Sequence, residues 1–187
     1  MKWKTAVSTS YKGERYIRGR KLTALIHAHS FIEVAFLLIR GKFPTAREAK
    51  MFDAILVASC EHGVEVPSSF VARTVVSTGN AMNAALAAGV LTIGEWHGGA
   101  IQAAAQTLLR QGPPAQIVQD ALRKGERLSG YGHKVYKKED PRTKALFARA
   151  RKLKFFGRYV SRALAIQKEL ASQTGKKLPL NVDGAIA

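Results

Sequence analysis

The sequence predicts an all-α fold of about eight helices, and three observations carry that expectation. Two capping boxes, Ser30-Phe31-Ile32-Glu33 and Thr45-Ala46-Arg47-Glu48, open apolar stretches. In each, the hydroxyl caps the first turn and the glutamate three residues on reaches back to the cap N–H. The apolar runs have helical spacing and stop at glycine or Gly-Pro-Pro. Strand signals are nearly absent.

In chain order, Tyr16-Ile17-Arg18 lies between Gly13 and Gly19, so residues 5–20 read as a small hairpin or irregular arm. The first capping box predicts a helix to Arg40, with Gly41 as its stop. The second starts a helix carrying Phe52, Ile55, Leu56 and Ser59 on one side. Pro67-Ser68-Ser69 opens a third, ended near Gly79. Residues 81–93 are alanine-rich and suit close helix packing. Residues 98–110 form the next helix, closed by Gly112-Pro113-Pro114, and 115–127 the one after. Two more follow at 143–156 and 159–174, the second ended by Gly175. Residues 178–184 read as an extended segment.

The chain has 187 residues, which allows either one domain or one large and one small lobe, and 47% of them are hydrophobic, enough for a real core. No run of about 18 apolar residues is present, so no membrane span is expected. The N-terminus has no apolar stretch of the kind a secretion signal needs, which fits a cytoplasmic location. Cys60 is the sole cysteine, which excludes an internal disulfide framework and a cysteine-rich metal site. The net charge is +17. Residues 123–177 hold 17 Lys or Arg against 4 Asp or Glu, a local net of +13. Such a field attracts polyanions. Nucleic acid is the generic partner, but the aromatics are not interleaved with the basic residues as a stacking surface requires. A phosphate-bearing cofactor with an acidic substrate is the narrower reading.

The basic residues crowd around Gly130-Tyr131-Gly132-His133-Lys134-Val135-Tyr136-Lys137-Lys138-Glu139-Asp140-Pro141-Arg142. Glycine lets backbone N–H groups approach a ligand, and Lys and Arg bind carboxylates or phosphates. The stretch is either a solvated basic loop or an anion site with a proton-bearing histidine. His27 and His29 form an HxH pair with no third ligand at useful spacing, and a structural role is the better reading. His62 ends a helix beside Gly63, and His97 precedes Gly98-Gly99 at a helix start. Each is either a chance histidine in a turn or a ligand-facing group. Together with Asp183 they suit proton chemistry next to a carbonyl: a carboxylate base, an imidazole electrophile and an imidazole acid. No GxSxG elbow, Walker loop or Rossmann fingerprint is present.

Taken jointly, Glu61-His62-Gly63, Pro67-Ser68-Ser69-Phe70-Val71-Ala72-Arg73, His97-Gly98-Gly99-Ala100, the Gly130–Lys137 stretch with Asp140-Pro141-Arg142, and Asn181-Val182-Asp183 resemble the citrate synthase superfamily in order and spacing. That group includes citrate synthases, citryl-CoA lyases and the C-terminal part of ATP-citrate lyase. Ser30-Phe31-Ile32-Glu33-Val34-Ala35-Phe36-Leu37-Leu38 is also similar to the family. The resemblance implies a citrate synthase-like helical fold with a large domain over 1–110, a small CoA-binding domain over 111–177 and a return segment over 178–187. It implies that Asp183 takes the methyl proton of acetyl-CoA, that His97 holds the thioester oxygen, and that His133 polarises the ketone of oxaloacetate and protonates the alkoxide. His62 and Arg142 would hold oxaloacetate. Leu128, Gly130, Tyr131 and Gly132, with Lys134 and Lys137, would receive coenzyme A. No metal is implied, and a homodimer or higher homo-oligomer is.

Three departures stand out. Ile101-Gln102 follow the His-Gly-Gly-Ala run where the family often has asparagine, and Lys134 stands where arginine is common. Gly184 after Asp183 resembles the citryl-CoA lyase branch more than the synthases. The family continues for several helices beyond this aspartate, whereas four residues follow Asp183 here. The expectation is therefore a fold incomplete at its C-terminus. Citrate synthase proper, and a catalytically incomplete CoA- or polyanion-binding protein, are the alternatives.

Overall fold

The computed structural model describes residues 5–95 and 97–187. The chain divides into two compact units, Met1–Leu56 and Val57–Ala187.

In the first unit, β1 (Ser8–Tyr11), β2 (Glu14–Ile17) and β3 (Arg20–Lys21) form an antiparallel meander in the order β1-β2-β3. Its register pairs Ser8 with Ile17 and Tyr16 with Lys21. The expected hairpin thus gains a third strand. A short helix absent from the sequence reading follows, α1 (Leu22–Ala28). Its cap lysine makes no side-chain cap bond, so it carried no start signal. His29 is stacked on Phe43, ring centroids 4.0 Å apart, and lies 3.7 Å from Glu33. Helix α2 (Phe31–Arg40) has the predicted box: Glu33 N–H donates to Ser30 Oγ (3.3 Å), and Ser30 N–H donates to Glu33 Oε2 (2.8 Å). Gly41 ends it in the left-handed conformation. Helix α3 (Ala46–Ser59) opens on the second box, where Thr45 N–H donates to Glu48 Oε2 at 2.7 Å. Phe36 and Phe52 meet edge to face.

The second unit holds α4 (Pro67–Ser77), α5 (Met82–Leu91), α6 (Ala100–Leu109), α7 (Pro114–Arg123), α8 (Pro141–Lys152), α9 (Arg158–Thr174) and α10 (Val182–Ile186). Helices α4 and α5 pack closely because Gly89 has no side chain. A Cβ there would lie 2.9 Å from the Ser68 carbonyl oxygen. The core is built by α6, α7, α8 and α9: Leu108, Ile117, Val118, Phe147, Ile166 and Leu170 are buried together with Leu128, Tyr131 and Leu180. Fully burying each large aliphatic contributes about 1.5–3 kcal/mol.

Two boundaries differ from expectation for local reasons. Helix α7 stops at Arg123 rather than 127, because the chain turns through Gly125 at φ 63°. Helix α8 starts at Pro141 rather than 143, because Asp140 caps it and proline is favoured at the first helical position. The segment expected to be extended over 178–184 instead bends into α10 from Val182, with Asn181 Oδ1 accepting from Gly184 N–H. No helix among the described residues is long and apolar enough to cross a membrane.

Candidate active site

Two turns and one buried carboxylate build the site, all within the second unit. The first turn carries His97. Gly94 and His97 pair through backbone bonds, Gly94 N–H to His97 O (2.7 Å) and His97 N–H to Gly94 O (3.2 Å). The turn requires glycine at 98, where φ is 97° and a Cβ would fall 2.7 Å from the Ile93 side chain. His97 Nε2 lies 3.0 Å from Ser68 Oγ near the start of α4. Its ring is 6.1 Å, centroid to centroid, from that of His62. Ser68 was not singled out from sequence; its place in the helix-opening Pro67-Ser68-Ser69 gave no sign that it would reach a histidine 29 residues away.

The second turn is 130–136. Gly130 and Gly132 both have positive φ, 92° and 88°. The turn is stitched to the segment before α10: Gly132 N–H donates to Pro179 O (2.7 Å), Asn181 N–H to Gly130 O (2.9 Å) and Asn181 Nδ2 to Gly132 O (2.8 Å). Gly130 and Gly184 are in backbone contact. A Cβ on Gly184 would lie 2.7 Å from Gly130 O, and one on Gly130 would lie 2.8 Å from the Gly184 Cα. This is what brings Asp183 to the basic loop.

His133 Nδ1 accepts from the N–H groups of Val135 and Tyr136, both at 3.1 Å. In the neutral ring those bonds put the proton on Nε2. Arg142 Nη2 lies 3.1 Å from that Nε2, and a guanidinium can only donate. Two donors thus converge, and what they can share is an oxygen acceptor. The ring also stacks on Tyr136, centroids 4.7 Å apart.

Arg142 is held by Asp140, a fully buried residue. Burial pushes the Asp140 carboxyl up. Hydrogen bonds from the Arg142 side chain and backbone, and from Val182 N–H, outweigh this and leave it below the usual carboxylate range. The hydrogen bonds to Asp140 in turn raise Arg142, aided by the charges of Asp140 and Asp183. Sequence reasoning quoted Asp140 within the Asp140-Pro141-Arg142 motif and gave it no role of its own. Asp-Pro before a helical run is a capping signature, which was the signal available.

His62, His133, Lys134 and Arg142 line one open cleft of ≈ 690 Å³ together with Glu61 and Glu65. Neither His97 nor Asp183 is among its lining residues; the His97 ring lies beside that of His62, which is. A second cavity, of ≈ 180 Å³, is lined by Leu128 and Tyr131 with Arg127 and Lys176, two cations sequence reasoning had not assigned. Tyr131 OH donates to Ala163 O within the core, and burial pushes its phenol well up. Lys137 Nζ donates to His133 O at 3.2 Å. The residues expected to take coenzyme A therefore divide, Leu128 and Tyr131 at the smaller cavity, Lys134 at the cleft. Among the described residues, no cluster of three or more His, Cys, Asp or Glu could hold a metal.

The family model for the citrate synthase C-terminal domain matches residues 44–187. Citryl-CoA lyase from Hydrogenobacter thermophilus superposes with a TM-score of 0.90 at 42% identity, over 98% of this chain and 73% of that one. ATP citrate lyase from Methanothrix soehngenii, solved with citrate and coenzyme A, gives 0.86 at 27% identity, over 100% of this chain and 31% of that one. Citrate synthase from Haloferax volcanii is 31% identical over 181 residues, 92% of this chain and 45% of its own length. The chain thus spans less than half of that curated relative.

Proposed function

The chain belongs to the citrate synthase family, and from that premise we propose that it makes and breaks the carbon–carbon bond between acetyl-CoA and oxaloacetate through citryl-CoA, in the manner of the citryl-CoA lyase branch. The observation that carries the reading is the converging donor pair, His133 Nε2 and Arg142 Nη2 at 3.1 Å, in the cleft shared with His62. A 2-keto acid offers that pair a ketone oxygen and a carboxylate side by side.

In the condensing direction the Asp183 carboxylate takes a methyl proton from acetyl-CoA. The electron pair passes into the thioester carbonyl, whose oxygen His97 hydrogen-bonds while Ser68 orients the ring. The enolate carbon then bonds to the ketone carbon of oxaloacetate. The ketone π-electrons move to oxygen, which is held by the His133–Arg142 pair and takes its proton through His133. Cleavage is the same path in reverse. Arg127, Lys176 and the walls formed by Leu128 and Tyr131 supply cations and apolar surface for coenzyme A. The division into lobes at 110 and 177 belongs to this proposal, since closure of a small lobe would shield the enolate from water. The exposed apolar Met82, Leu86, Val90 and Leu91 of α5 support a homodimer or larger homo-oligomer.

The lyase branch is favoured over a synthase by the 42% identity to a citryl-CoA lyase and by Gly184, whose contact with Gly130 leaves no room for a side chain. The test is CoA release from acetyl-CoA plus oxaloacetate, run beside cleavage of citryl-CoA. Cleavage without net CoA release is expected. CoA release with citrate formation would make the chain a synthase, and neither reaction together with retained coenzyme A binding would make it a binding protein.

A further inference from the structure

An N-cap aspartate needs one acceptor atom for one backbone N–H. Asp140 does four times that. Its Oδ1 accepts from Arg142 N–H (3.0 Å) and Arg142 Nε (3.1 Å), and its Oδ2 from Arg142 Nη2 (2.8 Å) and Val182 N–H (3.1 Å). A carboxylate has about four lone-pair positions, so this one is fully used. It has no exposed surface, which removes competition from water. Capping of α8 accounts for one of the four bonds. The other three go to the guanidinium and to the residue before Asp183.

We propose that Asp140 is the positioning residue of this site, a single buried carboxylate that sets the guanidinium of Arg142 and the first turn of α10 together. The inference rests on the functional reading above for what those two elements do. Its physical content is the shared Oδ2: Arg142 Nη2, which faces His133, and Val182 N–H, which precedes Asp183, are held by the same oxygen. The keto-acid grip and the base therefore keep a fixed separation. Misplacing a reacting group by about 1 Å can cost about 100-fold in rate, so the link acts on chemistry as well as on binding.

The experiment compares the full chain with Asp140→Asn, which keeps an acceptor oxygen for capping but puts a donor against Arg142 or Val182, and with Asp140→Glu, which keeps the charge but moves it by one methylene. Arg142→Lys serves as the control that loses the guanidinium while keeping Asp140 and its bond from Val182 N–H. Citryl-CoA kinetics give kcat and KM per folded molecule, calorimetry gives oxaloacetate binding, and 15N NMR reads the Arg142 Nε–H and the Val182 amide. The expected result is a loss of about 100-fold in kcat/KM for either Asp140 variant, divided between kcat and KM, with both resonances shifting together. Arg142→Lys should also lower kcat/KM, through its own contact with the keto-acid oxygen, but leave the Val182 amide in place. Kinetic constants within about twofold of the parent in a folded Asp140 variant would overturn the proposal. If Asp140→Asn does not fold, Asp140→Glu decides alone by the same criteria. If the parent chain itself neither cleaves citryl-CoA nor binds oxaloacetate, the functional reading is what fails. The two resonances then decide the linkage: joint movement sustains it, and movement of one without the other overturns it.

Discussion

The two walls of the site are built differently. On one wall His133, Arg142 and the helix of Asp183 are tied by buried Asp140, by the glycine contact at Gly130 and Gly184, and by three bonds between 130–132 and 179–181. On the other wall His62 is exposed, and His97 is steadied by one side-chain bond, to Ser68, within a short glycine-closed turn. One wall takes its geometry from contacts between residues 40 or more apart in sequence, such as Val182 with Asp140. The other takes it mostly from the turn itself. A preformed wall fixes a small polar ligand accurately at low entropic cost, and on the proposed function the open one leaves room for the acyl-CoA.

Substitutions on either wall test this contrast. The largest effect is expected from Asp183→Ala. Turnover of citryl-CoA should fall by about a thousandfold or more, while stability changes by less than about 0.5 kcal/mol, because the side chain is half-buried and its own carbonyl keeps the bond from Ala187 N–H. Steady-state kinetics beside a thermal melt checks both. Activity within tenfold of the parent would remove Asp183 from the chemistry.

Next comes Gly184→Val. The side chain would meet the Gly130 carbonyl and the Leu180 side chain, so a destabilisation of about 1–3 kcal/mol is expected on the tied wall. Urea unfolding measures it. A matching substitution at exposed Gly63, where nothing lies within 4 Å of an added Cβ, should cost less, its cost coming from the positive φ alone. Equal costs would mean that the glycine contact does not organise the wall.

Ser68→Ala should affect function rather than stability. About tenfold in kcat is expected with little change in melting temperature, because the lost bond orients one ring on the looser wall. An unchanged kcat would show that the turn alone holds His97.

The smallest effect is set by pH. Burial raises the Tyr131 phenol above its ordinary value. The stability it carries is complete below the unfolded-state value of about 10 and is lost as pH rises past it. Tyr131→Phe removes the bond to Ala163 O, so the variant should be about 1 kcal/mol less stable near pH 7. The gap should close above about pH 10, where the parent pays for keeping the phenol protonated. A gap independent of pH would place the phenol outside the core.

Much of this protein was legible in its residues because the signals are local. Capping boxes at Ser30 and Thr45, stops at Gly41 and Gly175, and the motif order that marks the family each need only a few neighbouring positions, and local hydrogen bonding dictates them. The short helix α1 and the third strand escaped because they lack caps and length. His62, His133 and Arg142 could be named from spacing and resemblance, but their common cleft could not be derived from it. Asp140, Ser68 and Lys176 were missed for one reason. What gives each its place lies tens of residues away, Val182 for Asp140, His97 for Ser68 and the wall at Leu128 for Lys176, and an aspartate before proline or a serine at a helix start looks the same whether it caps a turn or holds a site. Residue types and local signals were enough to show which groups could do proton chemistry and where most of the longer helices lie. That Val182 N–H and Arg142 share one carboxylate oxygen came from the fold, because the burial of Asp140 and the close approach of Gly130 to Gly184 are properties of packed surfaces rather than of neighbours along the chain.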